Sequence, residues 1–160
     1  MKRIALVGFG LVGAGWAIAF ARAGHSVMVW DAAPGAVERG FALLQSRLED
    51  LHSAGAIAEP VGRVRSRIVP ATTLAEVVRE ADYVQESVTE RLEVKRALYG
   101  ELASSLSPSA ILASSTSTFM PSELYSGLAV ANRALVAHPV NPPDLVPLVE
   151  LAPSPATDAN

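Results

Sequence analysis

The sequence predicts an α/β fold: a doubly wound, mainly parallel sheet with helices on both faces. Short apolar runs alternate with segments of helical period, and most of those runs are apolar throughout, as strands covered on both sides should be. Polar residues of chemically specific types stand directly after the runs, and ligands bind beyond the carboxyl ends of strands in such sheets.

The first strand, 4–7, is apolar at every position, and glycines at 8, 10, 13 and 15 end it and open a helix over 11–23 that Gly24 closes. A second strand over 27–30 ends at Asp31. Next comes a longer helix with Val37, Phe41, Leu44, Leu48 and Leu51 spaced by four and three residues, the period of one buried face. A short strand at 68–69, a helix over 74–81 and a strand over 82–86 follow. The helix over about 92–106 repeats Val94, Leu98, Leu102 and Leu106 every four residues, so these four are assigned to the core. A strand over 111–113 runs into Ser114-Ser115-Thr116-Ser117-Thr118, a helix begins near Pro121, and strands over 134–137 and 148–151 complete the pattern. Right-handed crossovers join the parallel strands. Residues 1–153 form the domain and 154–160 a polar tail or truncation point.

The 160 residues are 50% hydrophobic and 18% charged, which suits one folded domain and excludes collagenous and disordered classes. A net charge of −3, with no basic run longer than a pair, argues against a nucleic-acid partner. With no cysteine there is no disulfide framework, thiolate nucleophile or Cys-ligated zinc, and His25, His52 and His138 are too scattered to suggest a metal site. A cytoplasmic location and no membrane partner are expected. Residues 1–21 nonetheless imitate a secretory signal, with Lys2-Arg3 before an uncharged stretch that ends Ala19-Phe20-Ala21. Four glycines weaken that reading, because a strand-to-helix turn uses them and a membrane-inserting helix does not.

Gly8-Phe9-Gly10-Leu11-Val12-Gly13 has the G-x-G-x-x-G spacing behind a strand and at the start of a helix. The first glycine makes the turn, the second lets a pyrophosphate approach the backbone, and the third lets helix pack on strand. Asp31, 18 residues beyond Gly13, stands where a carboxylate accepts hydrogen bonds from the adenosine ribose. The pattern is a Rossmann-like dinucleotide site. The alternative makes the glycines structural and Asp31 the N-cap of the next helix. Asp31 repels a 2′-phosphate and Ala32-Ala33 offer no arginine, so NAD is expected rather than NADP; FAD shares the fingerprint.

Ala137-His138-Pro139-Val140-Asn141-Pro142-Pro143 follows a strand, and Glu150, twelve residues after His138, sits in a second apolar run, Leu148-Val149-Glu150-Leu151. A carboxylate embedded in an apolar strand wants a partner. If it bonds one imidazole nitrogen, the other is left to accept a hydroxyl proton. The alternatives are a packed loop histidine and an edge-strand glutamate facing water. The hydroxyls of 114–118 suit either a ribose or substrate oxygen, or the capping of the helix near Pro121. A hydrolase triad from Ser117, His138 and Asp144 or Glu150 lacks the G-x-S-x-G elbow and leaves the glycines without a purpose. Glu90 and Lys95, five apart, read most simply as a solvated helix face.

The segments GFGLVGAGWA, ESVTERLEVK, SSTSTFMPSEL and HPVNPPDLVPLVEL, spread from residue 3 to about 153, resemble the N-terminal NAD-binding domain of the 3-hydroxyacyl-CoA dehydrogenase family, in particular its lambda-crystallin / L-gulonate 3-dehydrogenase branch. The resemblance implies that His138 is the catalytic base, Glu150 its carboxylate partner, and Ser117 and Asn141 contacts of substrate oxygen and nicotinamide. It also places Ser87, Glu90 and Lys95 against the nicotinamide half of NAD and Asp31 on the adenosine ribose. The implied substrate is a small molecule, a 3-hydroxyacyl-CoA or a 3-hydroxy acid such as L-gulonate. Members of this family run to about twice this length, with a helical C-terminal domain that completes the pocket and forms a homodimer interface. The present sequence stops before it, as an excised fragment or a naturally short protein would. A structural, crystallin-like protein that binds NAD without turnover is the alternative.

Overall fold

In this computed structural model, which describes residues 1–158, Arg3–Val7 forms β1 with four of its five residues buried. Alternate side chains divide between two cores: Ile4 and Leu6 join one apolar cluster and Ala5 and Val7 the other. A strand buried on both faces lies in the middle of a sheet, and β1 pairs on one side with β2 (Ser26–Trp30) and on the other with β4 (Tyr83–Glu86). Removing residues 1–21 as a signal would therefore take away a strand paired on both sides.

The sheet has seven strands in the order β3-β2-β1-β4-β5-β6-β7, with β3 at Ile68–Pro70, β5 at Ile111–Ser114, β6 at Ala134–Pro139 and β7 at Val149–Pro153. The first six run parallel. Because β2 and β3 lie to one side of β1 and β4 to β6 to the other, strand order reverses between β1 and β4, which opens a crevice at their carboxyl ends. β7 runs antiparallel to β6, since the connection from Pro139 to Val149 holds no helix to carry the chain back across the sheet.

One face is covered by α1 (Leu11–Arg22), α2 (Ala36–Ser53) and the short α3 (Val61–Arg65), the other by α4 (Leu74–Val78), α5 (Leu92–Leu102) and α6 (Pro121–Tyr125). In α2 the buried stripe is Gly40, Leu44, Leu48 and Leu51, with Val37 and Phe41 only half-buried at its edge. Gly40 takes the place expected of a larger residue because the ring and carbonyl of Phe9 fill the space a Cβ would need. α3 leaves no signal in the sequence, since its five residues are too few to show a period.

Two core assignments change. On α5 the buried residues are Lys95, Tyr99 and Leu102, so the face is rotated by one position from the expected Val94 and Leu98. Val94 is 38% exposed and lines, with Leu98, the cleft described below. The run ending in Leu151 is also less buried than its composition implies: β7 is an edge strand, and Leu148, Val149 and Leu151 are exposed. Residues 154–158 fold back on β6, with the Thr157 hydroxyl donating to the Ala134 carbonyl at 2.6 Å. Ala159 and Asn160, the end of the expected tail, lie outside the described residues.

Candidate functional site

At the end of β1, Gly8 adopts φ +95°, and a Cβ there would meet the Ser87 carbonyl at 2.6 Å. Five residues on, a Cβ at Gly13 would lie 2.1 Å from the Gly8 carbonyl oxygen, so strand and helix meet at this distance only with glycine. At Gly10, the N-cap of α1, nothing lies within 4 Å of a Cβ position. That glycine is not required by packing; it keeps open the approach to the unpaired N–H groups of the first turn, where Leu11, Val12 and Gly13 stand.

Asp31, directly after β2, accepts the Phe9 N–H through Oδ2 and the Ala33 N–H through Oδ1, both at 2.8 Å. It therefore ties the glycine turn to the β2 loop and retains lone pairs for further donors. It is not the cap of α2, whose N-cap is Gly35. Phe9, Gly10, Asp31, Ala33 and Ser87 line a cleft of about 640 Å³ over this crevice. Arg39 of α2 lines it too, a cation that comes from the helix and not from the loop positions 32 and 33 where an arginine was sought.

On the far side of the crevice, Glu86 at the end of β4 is fully buried and uses both oxygens twice. Oε1 accepts from Lys95 Nζ at 2.6 Å and the Val88 N–H at 2.7 Å, and Oε2 from the Tyr99 hydroxyl at 2.5 Å and Ser114 Oγ at 2.6 Å. Burial, reinforced by the Glu86 charge, pushes the Tyr99 phenol up and keeps it a donor. Lys95, 1% exposed, also reaches Glu90 Oε2 at 3.1 Å. Glu90 accepts the Thr116 hydroxyl as well. Desolvation acts to raise its carboxyl, but the Thr116 hydroxyl, Lys95 and the Ser117 amide outweigh it and hold Glu90 below the usual carboxylate range. Glu90 and Lys95 are thus partners around a buried charge rather than a solvated face. Glu86 went unnoticed in the sequence, where it stands as a polar residue at the end of a strand beside another polar residue, Gln85.

His138 and Glu150 lie directly opposite each other on β6 and β7, with Nδ1 and Oε2 3.0 Å apart. A carboxylate only accepts, so Nδ1 carries a hydrogen, and in the neutral ring the lone pair then lies on Nε2. Glu150 is on an edge strand and 73% exposed, not embedded as its neighbours suggested, yet it finds the partner that was expected. Ser117 and Asn141 are exposed in the loops after β5 and β6. None of the hydroxyls from 114 to 118 caps α6, where Glu123 reaches back to the Met120 N–H. Instead Ser114 serves Glu86, Thr116 serves Glu90, and Ser115 bonds Ser87, Gln85 and Trp16. Asp144 is buried and paired with Arg47, while His138 bonds Glu150 instead, which leaves the hydrolase triad without that acid. No group of three or more His, Asp or Glu positioned to hold a metal occurs among the described residues. Nor is any helix there long and apolar enough to cross a membrane.

Residues 3–160 match the family described as 3-hydroxyacyl-CoA dehydrogenase, NAD binding domain. The chain belongs to that family. It is 42% identical over 156 residues to a lambda-crystallin homolog of Bos taurus, covering 96% of this chain and 49% of the relative. To an L-carnitine dehydrogenase of Nocardiopsis dassonvillei it is 41% identical over 151 residues, covering 94% and 45%. A solved 3-hydroxybutyryl-CoA dehydrogenase from Escherichia coli superposes with a TM-score of 0.91 at 31% identity, over 99% of this chain and 34% of that one. The chain therefore spans about half the length of the curated relatives it matches. As a 3-hydroxyacyl-CoA dehydrogenase family domain it takes NAD as cofactor, and the open approach at Gly10, the helix N-terminus and the free acceptor capacity of Asp31 fit a dinucleotide.

Three outcomes are expected of this site. Gly10→Ala fits the empty fold, so its thermal unfolding should overlay that of the parent, while calorimetric NADH affinity falls at least about tenfold as the methyl meets the pyrophosphate. Lys95→Met strands the Glu86 charge and should lower the urea-derived unfolding free energy by about 3–5 kcal/mol. Glu90, with Glu59, Glu76 and Asp82, is held below its ordinary range in the folded state, so stability from these carboxylates is present above that range and lost as pH falls through the lowered values. Melting temperature should accordingly decline on acidification from about pH 5 to pH 3.

Proposed function

We propose that the chain is the nucleotide half of an NAD-dependent dehydrogenase that oxidises the 3-hydroxyl of a 3-hydroxy acid or its CoA thioester. The observation that carries this reading is the His138–Glu150 pair, held in cross-strand register beside the cofactor crevice with Nε2 free. Glu150 fixes the tautomer and the orientation of the ring. His138 Nε2 takes the hydroxyl proton as the carbinol C–H bond breaks, leaving the keto product and a protonated imidazole that releases its proton to solvent. NAD, when bound, supplies the hydride acceptor. Ser117 and Asn141 hold the reacting oxygen; Ser87 and Glu90 hold the nicotinamide half, with Lys95 behind Glu90 to fix its position. The turn of Gly8, Gly10, Leu11, Val12 and Gly13 takes the pyrophosphate, and Asp31 the adenosine ribose.

The relatives named L-carnitine dehydrogenase and the neighbour named 3-hydroxybutyryl-CoA dehydrogenase suggest the substrates to try. To them we add L-gulonate, together with the homodimeric state implied by the family resemblance. In an assay of NADH formation on this panel, His138→Ala should lower turnover by about 10²–10⁴-fold and leave NADH affinity nearly intact. An unchanged rate in the variant removes His138 as the base. The likeness to a lambda-crystallin homolog favours a second reading, NAD binding without turnover. NADH binding with no product from any substrate on the panel would support it.

A further inference from the structure

Behind the nicotinamide end of the crevice lies a polar cluster whose hydrogen-bond directions are fully determined. Gln85 of β4 is completely buried. Its Nε2 donates to the Ala137 carbonyl at 3.1 Å and to Ser115 Oγ at 2.7 Å, and its Oε1 accepts from the Tyr83 hydroxyl at 2.5 Å. Burial pushes the Tyr83 phenol well up, so it remains a donor. The amide cannot be turned over, because Oε1 would then face the Ala137 carbonyl. Ser115 receives a second obligate donor, Trp16 Nε1, at 3.1 Å. A hydroxyl oxygen has two lone pairs, and Gln85 and Trp16 occupy both.

Ser115 can then reach Ser87 Oγ, 2.8 Å away, only as donor. Ser87 accepts that hydrogen, so its own O–H is free and does not point back into the cluster. Ser87 lines the cleft. A lone serine at such a position could turn its hydrogen either way; this one keeps its hydrogen for the cleft, because Ser115 cannot accept it.

We infer that Gln85 and Ser115 are positioning residues that keep the Ser87 hydrogen turned toward the cleft, and that Ser87 gives this hydrogen to an acceptor oxygen on the nicotinamide half of the dinucleotide. The inference rests on the placement of that half given under Proposed function. It assigns Ser87 a direction as well as a place, and makes its effect depend on a glutamine that touches no ligand.

The polarity can be reversed without removing any heavy atom of the cluster. Gln85→Glu has one donor site fewer; in the neutral form the Ala137 carbonyl claims its only hydrogen, and in the anionic form there is none. Ser115 then donates to residue 85 and accepts from Ser87, which turns the Ser87 hydrogen inward. NADH affinity, read by fluorescence titration, should fall about tenfold in Ser87→Ala and by a similar factor in Gln85→Glu. The double variant should lose no more than either single one, within about twofold, because both remove the same bond. A purely structural role for Gln85 predicts losses that multiply. Trp16→Phe frees one lone pair of Ser115 while its ring keeps its stacking on Phe20, 5.2 Å away, and it replaces Gln85→Glu should that variant not fold. Unchanged affinity in Ser87→Ala, or multiplicative losses in the double variant, overturns the inference while leaving the cofactor reading intact. No NADH binding by the parent chain overturns both.

Discussion

The buried pair of Glu86 and Lys95 is the interaction around which the crevice is arranged. Two opposite charges at 2.6 Å, with both side chains essentially out of water, persist only because the carboxylate has four donors and the ammonium a second carboxylate. Such a pair is weak evidence for stability, since well-packed apolar residues often do as well. Its consequence is positional. Satisfying Glu86 requires the end of β4, the buried face of α5, Ser114 of β5 and the loop after β4 to take one relative placement. Lys95 then fixes Glu90 over the Thr116 turn.

The two sides of the crevice are built by different physics. Toward β2 the backbone does the work: the turn at Gly8, the contact at Gly13 and the open helix N-terminus leave little for side chains except Asp31, which holds the turn and keeps acceptor capacity free. Toward β6 the side chains do it, through successive polar layers at the ends of β4 and β5 and the cross-strand pair at the sheet edge. Reversal of strand order between β1 and β4 sets these two constructions side by side.

Much of this was legible in the residues. The continuous apolar run at 4–7, the glycine spacing and Asp31 locate the nucleotide crevice because a turn of that geometry admits few alternatives. The His138–Glu150 pair was legible as chemistry but not as environment: an apolar run suggested burial, and only the sheet order reveals an edge strand. Glu86 and Gln85 were invisible for the opposite reason. Each looks like an ordinary polar residue at a strand end, and their importance comes from partners 9 to 52 positions away that the fold brings together. The rotation of α5 follows from the same cause, since Lys95 turns inward to reach Glu86 and moves Val94 out to the cleft. Periodicity counts apolar residues and so could not foresee a buried lysine.

The most direct measurement is a crystal structure of the protein with NADH. The account predicts the pyrophosphate over Gly10 at the N-terminus of α1, the adenosine ribose on Asp31, and the nicotinamide ring between the Glu90–Lys95 side and His138 Nε2. A dinucleotide bound elsewhere, or one whose ring lies on the opposite side of the crevice from His138, would contradict it.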